Sequence, residues 1–349
     1  MALIPAVKIL HLEMTERCNA ACPMCGRVDI NGEGKRFLDA ELSIDELRSW
    51  LPPELVGSMQ HIYMCGNYGD AITARDTLAS FKYFREHNQK CSLGLHTNGA
   101  ARSEGWWSEL AQVLGRRGKV VFSIDGLEDT NHIYRRNVRW GLLERSFRAF
   151  IRAGGRAEWH FLVFRHNEHQ LQEAAATAKR EGFEKFIPKK SARISGVPDR
   201  TRFEPLDDKG TPLLAPPENP IYRNADIQLS EQVFAAYGDR GAWLDRTLIR
   251  CKAQRDLSLY ISARGDLWPC CWLGYGSVPG ERKAIDVFLE RHGGREQLSL
   301  RKHSIQEILN SEVYDAIQRG WSATVANGRL EKCAQMCSVE LDFHGAQYR

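Results

Sequence analysis

The chain has 349 residues, of which 26% are charged and 43% hydrophobic, with a net charge of +4 and ten cysteines. That length holds one large domain or two modest ones, and the balance is that of an ordinary globular protein. The charge is too mild to point to nucleic acid or a membrane surface. No run of about 18 apolar residues can span a bilayer, and the N-terminus lacks the basic region and apolar core of a signal peptide. Ten cysteines without such a signal point to metal ligation in a reducing, cytoplasmic compartment rather than to disulfides.

A strand-then-helix rhythm fills the first half. Val7–Glu13 predicts a strand leading into a cysteine-rich loop. Ser43 and Glu46 form a capping box that opens a helix. His61–Cys65 predicts a second strand, ending in Gly66-Asn67-Tyr68-Gly69-Asp70, and Arg75–Glu86 a helix. Ser92–His96 is the third strand, followed by Thr97-Asn98-Gly99, with a helix over Trp106–Arg117. Lys119–Asp125 is the fourth strand and ends at Gly126, and Leu142–Ala153 is helical. Trp159–Phe164 is the fifth strand. Asn167 with Gln170 predicts a cap on a helix reaching Arg180, and Lys185–Pro188 a short sixth strand. Such alternation implies a parallel α/β sheet, either doubly wound or curled into a barrel with its helices outside. In a barrel, chemistry gathers at the C-terminal ends of the strands.

The rhythm breaks from Ser195 to about Asp245, which is rich in Pro, Asp, Arg and Asn and reads as a linker or an excursion that walls a site. Beyond it, Leu257–Ser262 and Leu267–Cys270 predict a hairpin turning at Gly265. Ser304 and Glu307 form a second capping box, on a helix over Ser304–Ile317. The division expected is 1–195, 196–245 and 246–349.

The cysteines carry the chemistry. Cys18, Cys22 and Cys25 are spaced C-x3-C-x2-C on the loop after the first strand. Three thiolates placed this way can hold three irons of a [4Fe-4S] cube and leave the fourth iron open to another ligand. A zinc site is the alternative, since zinc takes four ligands and often C-x2-4-C pairs, but no fourth Cys or His stands close by in sequence. The C-terminal group is Cys251, Cys270, Cys271, Cys333 and Cys337. Cys251 and Cys270 flank the hairpin as C-x13-G-x4-C, and Cys333 and Cys337 return a second pair, enough to close a second [4Fe-4S] cluster or a four-thiolate zinc site. Cys65 and Cys91 read as small buried hydrophobes.

With these motifs the chain resembles the radical S-adenosylmethionine enzymes, and its C-terminal part is similar to their SPASM or twitch extension. The cysteine count fits the one-cluster twitch form, and the x4 spacing selects Cys270 over Cys271. Met24 stands where the family has an aromatic before the third cysteine. The resemblance implies a partial (β/α)6 TIM-like barrel followed by a small α+β domain. It implies S-adenosylmethionine on the open iron, cleaved by one electron to a 5′-deoxyadenosyl radical that abstracts hydrogen, with a flavodoxin- or ferredoxin-type reducing partner. Gly66, Gly69 and Asp70 occupy the place of the family's Gly-Gly-Glu-Pro turn, with Asp for Glu and Ala71 for Pro. Asn98, then Ser123, Asp125 and Arg135, match the family's cofactor-contacting stretches. Cys251, Cys270, Cys333 and Cys337 become the auxiliary-cluster ligands.

Relatives act on peptides, nucleotides, sugars and aminocyclitols. The first strand starts by residue 7, before any peptide-recognition domain, which favours a small-molecule substrate over a ribosomal peptide and suggests net oxidation assisted by the auxiliary cluster. No residue is singled out as catalytic acid or base. His160, Arg165, Lys189 and Lys190 stand on or after the last strands; facing inward, they would suit an anionic substrate group. A non-catalytic electron carrier or zinc protein is the rival class, and an open three-cysteine site argues against it.

Overall fold

The computed structural model describes residues 7–27, 39–192, 214–275 and 284–348. Its centre is one eight-stranded sheet in the order β6-β5-β4-β3-β2-β1-β7-β8. The strands are β1 (Ile9–Leu12), β2 (His61–Met64), β3 (Ser92–Thr97), β4 (Gly118–Ser123), β5 (Ala157–Val163), β6 (Lys185–Lys190), β7 (Ser258–Ile261) and β8 (Leu267–Trp268). The first six run parallel in chain order, joined by helical crossovers, and form the partial barrel with a linear, open strand order.

The period-two alternation of the strands separates two faces. Leu93, Leu95, Val120, Phe122, Trp159 and Phe161 are fully buried on the helix side. Phe122 meets Trp107, Phe147, Phe150 and Phe183, with centroids 5.4 to 6.3 Å away. The helix Trp140–Arg152 supplies Leu143, Phe147 and Phe150, one face at i, i+4 and i+7 spacing. Each such side chain is worth about 1.5–3 kcal/mol of burial. The opposite, concave face carries His11, Tyr63, Lys119, Glu158 and His160, polar groups that a packed barrel core would lack.

Both serine capping boxes form. The cap expected at Asn167 and Gln170 does not. Asn167 instead accepts from Phe164 N at 2.7 Å and donates to Asp125 O at 2.8 Å, while Gln170 accepts from Leu127 N at 3.0 Å. Both stitch the loops after β4 and β5. The helix expected over Ser304–Ile317 breaks at Asn310-Ser311 into Ile305–Leu309 and Glu312–Gly320.

The hairpin turns at Gly265, φ +78°, as expected, but it does not form a separate sheet. β7 pairs in parallel with β1, Leu10 opposite Leu259, so the C-terminal part extends the barrel sheet. Residues 193–213, the end of the expected barrel segment and the first part of the expected linker, lie outside the described residues. The second half holds two helices, Ala225–Tyr237 and Arg240–Arg246. Trp243 and Leu244 share a small core with Ile249, Ala334 and Leu341. Arg329 ties this unit together, donating to Leu244 O, Thr247 O and Trp321 O at 2.7 to 3.0 Å. No helix among the described residues is long and apolar enough to cross a membrane.

Candidate functional site

The loops after β1, β2, β3 and β4 meet at one end of the sheet. Cys18, Cys22 and Cys25 lie on the loop after β1, Cys22 buried and the other two half-buried. Their neighbours direct N–H groups at sulfur. Ala20 N stands 3.4 Å from Cys18 Sγ, Asn98 Nδ2 3.8 Å from the same sulfur, and Arg135 Nη1 3.8 Å from Cys22 Sγ. Burial pushes the Cys18 thiol up to about 12 and raises that of Cys22. Buried thiols of this kind become thiolates when a metal takes up the charge. Donor set and N–H cradle therefore fit a cluster that draws negative charge onto sulfur.

The turn after β2 docks on the cysteine loop. Asp70 N donates to Arg17 O at 2.9 Å. A β-carbon at Gly66 would overlap the Gly69 backbone, and one at Gly69 would overlap Thr15 O. Both positions thus need glycine for close approach. Asp70 accepts from Asn98 N at 2.8 Å, Thr97 Oγ1 at 3.0 Å and Ile72 N at 3.2 Å, tying the second loop to the third. Burial raises its pKa against these bonds. The residue that holds the glycine turn itself is Glu13, at the end of β1. It accepts from Tyr68 N at 2.6 Å and Gly69 N at 3.1 Å, and the Tyr260 hydroxyl from β7 donates to its other oxygen. The sequence resemblance places only Asp70 as a carboxylate at this turn; Glu13 is a second one. Glu13 is the last residue of the first predicted strand, and a carboxylate there, one residue beyond an apolar run and facing a glycine turn, was the available signal.

The remaining expected residues come together on the same rim. Arg135 Nε pairs with Asp125 Oδ2 at 2.6 Å, and Asp125 is 1% exposed. That pairing raises the Arg135 pKa against its burial. Asp125 also accepts from Leu162 N at 2.6 Å. Ser123 is half-buried on the concave face, in register with His160. Asn98 bonds Asn19 Oδ1 at 2.9 Å and Ala100 N at 2.9 Å. Of the basic groups near the last strands, Arg165 points to Glu218 at 3.7 Å and is half exposed, whereas Lys189 lies over the Tyr348 ring.

The second group of thiols gathers too. One small cavity is lined by Cys251, Cys270, Cys333 and Cys337 together with Trp272 and Trp321. The buried Trp321 indole N–H faces the Cys333 sulfur, a donor suited to a sulfur acceptor. Burial raises the Cys270 thiol to about 11 and that of Cys333 further. Cys271 is not among the lining residues; burial, the adjacent Cys270 and then Cys65 raise its thiol pKa. All ten cysteines are free thiols. Among the described residues no group of three or more Cys, His, Asp or Glu stands at single-ion spacing. Cys91 is fully buried and Cys65 half-buried.

The sequence of residues 251–338 matches SPASM, the iron-sulfur cluster-binding domain, and these bounds enclose the four lining thiols. The fold is similar to that of Streptococcus suis SuiB, solved bound to S-adenosylmethionine: TM-score 0.53 and 15% identity over 81% of this chain and 66% of that one. It is also similar to anSMEcpe with bound AdoMet: TM-score 0.55 and 14% identity over 97% of this chain and 94% of that one. This chain has the fold of these two S-adenosylmethionine-binding proteins, and its C-terminal part matches the SPASM domain. It spans just under two thirds of SuiB and most of anSMEcpe. No curated protein sequence matches it. The cavity, four thiols with an indole N–H directed at sulfur, suits the iron-sulfur cluster of such a domain.

Proposed function

We propose that the protein is a radical enzyme that binds S-adenosylmethionine at a [4Fe-4S] cluster on Cys18, Cys22 and Cys25 and abstracts hydrogen from a small molecule, with net oxidation. The observation that carries this reading is the three-thiol loop docked on the Gly66–Asp70 turn at the end of the sheet where Asn98 and Arg135 aim N–H groups at sulfur. When bound and reduced by one electron, S-adenosylmethionine supplies a 5′-deoxyadenosyl radical, an acceptor for one hydrogen atom. The chain's part is to position and to shield. The backbone of Gly66 and Gly69 offers carbonyls to the cofactor's ammonium, with Glu13 and Asp70 fixing the turn from either side. Asn98, Ser123, Asp125 and Arg135 complete the rim. Arg135 is the group suited to a carboxylate.

A substrate that has lost a hydrogen atom must still give up one electron and one proton to become an oxidised product. Cys251, Cys270, Cys333 and Cys337 would hold an auxiliary cluster able to accept such an electron, and a flavodoxin- or ferredoxin-type partner would supply the reducing electron. A peptide substrate is the second reading. SuiB was solved with its precursor peptide SuiA and anSMEcpe with the Cp18Cys peptide, each on this fold.

Electron paramagnetic resonance of the reduced, reconstituted protein tests the cofactor site. Added S-adenosylmethionine should change the spectrum of the wild type and leave that of a Cys18→Ala, Cys22→Ala, Cys25→Ala variant unaltered. An unchanged wild-type spectrum would count against the reading.

A further inference from the structure

The concave face of the sheet is lined with rings. His11 stacks on Tyr63 at 4.5 Å between centroids, Tyr63 meets His96 at 6.1 Å, His96 meets His160 at 6.1 Å, and His160 meets Tyr348 at 5.9 Å. Tyr63 and His96 stand on central strands yet are only half-buried. A mid-strand side chain that still reaches solvent marks a hollow rather than a packed core. Its floor is Glu158, held ionised by His160 and by Lys119 and Lys185 at 3.0 and 3.3 Å. Its flank is the C-terminal turn Gly345–Tyr348, packed beside β6.

The polar groups on this wall differ in what they have to bond. Lys119 and Lys185 share Glu158. Lys189, half-buried and one strand turn nearer the cysteine loop, has no carboxylate within 4.0 Å among the described residues; its ammonium lies 4.8 Å from the Tyr348 ring centroid. Leaving a partly desolvated ammonium without an anion is costly. His160 is 8% exposed, and its Nε2 stands 3.6 Å from Glu158 Oε2. His96 hydrogen-bonds to no described residue through its ring. Burial lowers His96 to about 3 and, beside Tyr348, His344 to about 4. Both are therefore neutral rings, each able to donate one hydrogen bond and accept another.

We propose that Lys189, flanked by His160, His96 and Tyr348, anchors an anionic group of the substrate, a carboxylate or a phosphate. The assignment rests on the enzymatic reading above and narrows its substrate class. One ammonium supplies the charge, and imidazole and phenol groups supply neutral donors around it. A cationic substrate group finds no free carboxylate among the described residues here, because Glu158 already serves two lysines. The anchor sits on the wall across from β1 and β2, so a molecule held by it extends toward the cysteine loop.

Equilibrium dialysis tests this with the reconstituted protein saturated with S-adenosylmethionine, using labelled inorganic phosphate and, separately, labelled acetate. The wild type should bind one of the two, and which one identifies the group. Lys189→Met should bind it at least tenfold more weakly, and Lys189→Arg should stay within a few-fold of wild type. Lys190→Met, whose position is in register with buried Val163 and faces away from the hollow, should match wild type. Equal binding by Lys189→Met, or binding of neither anion by the wild type, would overturn the proposal. The readout does not require cofactor cleavage. Loss of cleavage with anion binding intact would count against the enzymatic reading alone.

Discussion

Tyr275, shortly after Cys270 and Cys271, lies across Gly26, the residue after Cys25; a β-carbon at Gly26 would overlap the Tyr275 ring. The same ring stacks on Tyr68 in the glycine turn, 5.3 Å between centroids and 6° apart, and the Tyr68 hydroxyl donates to Tyr275 O. One aromatic side chain from the SPASM domain thus touches both halves of the N-terminal site.

Gly26→Ala should displace that ring and cost about 1–3 kcal/mol, the usual range for overpacking. Tyr275→Ala in the same chain should recover most of the loss. A double-mutant cycle on urea-unfolding midpoints checks the coupling, and additive effects would show that the contact carries no energy.

Arg135→Ala should have two effects. It leaves Asp125 buried without its counter-charge, a loss of about 3–5 kcal/mol. It also removes a cation and an N–H donor 3.8 Å from Cys22 Sγ, which should make the N-terminal cluster harder to reduce. A redox titration followed by paramagnetic resonance should find its midpoint potential lower than that of wild type, with the auxiliary cluster unmoved.

Burial raises the Glu13 carboxyl from its ordinary 4.5 to about 6, opposed by hydrogen bonds from Tyr260, Tyr68 and Gly69. The unfolded chain releases this proton first. Between pH 4.5 and about 6 the folded state therefore binds more protons, and stability falls as pH rises through that window before levelling off. The fall is about 2 kcal/mol at most. Glu13→Gln should flatten this part of the profile, as unfolding midpoints at pH 5, 6 and 7 would reveal.

Replacing Cys251, Cys270, Cys333 or Cys337 by Ala should lower iron and acid-labile sulfide by up to about four each per chain, one cube. Cys271→Ala should leave both at the wild-type level, because its side chain is absent from the cavity lining. Metal analysis that found zinc in place of iron would reverse the assignment of this site.

Much of this was legible in the sequence because it was local. The six parallel strands follow from alternation and turn residues, and C-x3-C-x2-C marks one short loop. What could not be read were relations between distant segments. Glu13 holds Tyr68 and Gly69 from fifty-odd residues away, and β7 joins the sheet beside β1 across more than two hundred. Asn167 and Gln170 had the spacing of a helix cap, but long-range acceptors in the β4 and β5 loops outcompeted the local backbone. Ala225–Tyr237 and Arg240–Arg246 stood in a stretch whose Pro-rich first half hid their helical pattern.

The central claim is tested most directly by anaerobic reconstitution, dithionite reduction and chromatography for 5′-deoxyadenosine after addition of S-adenosylmethionine. The account predicts 5′-deoxyadenosine from the wild type and none from the Cys18→Ala, Cys22→Ala, Cys25→Ala variant. Cleavage at the same rate by that variant would contradict it.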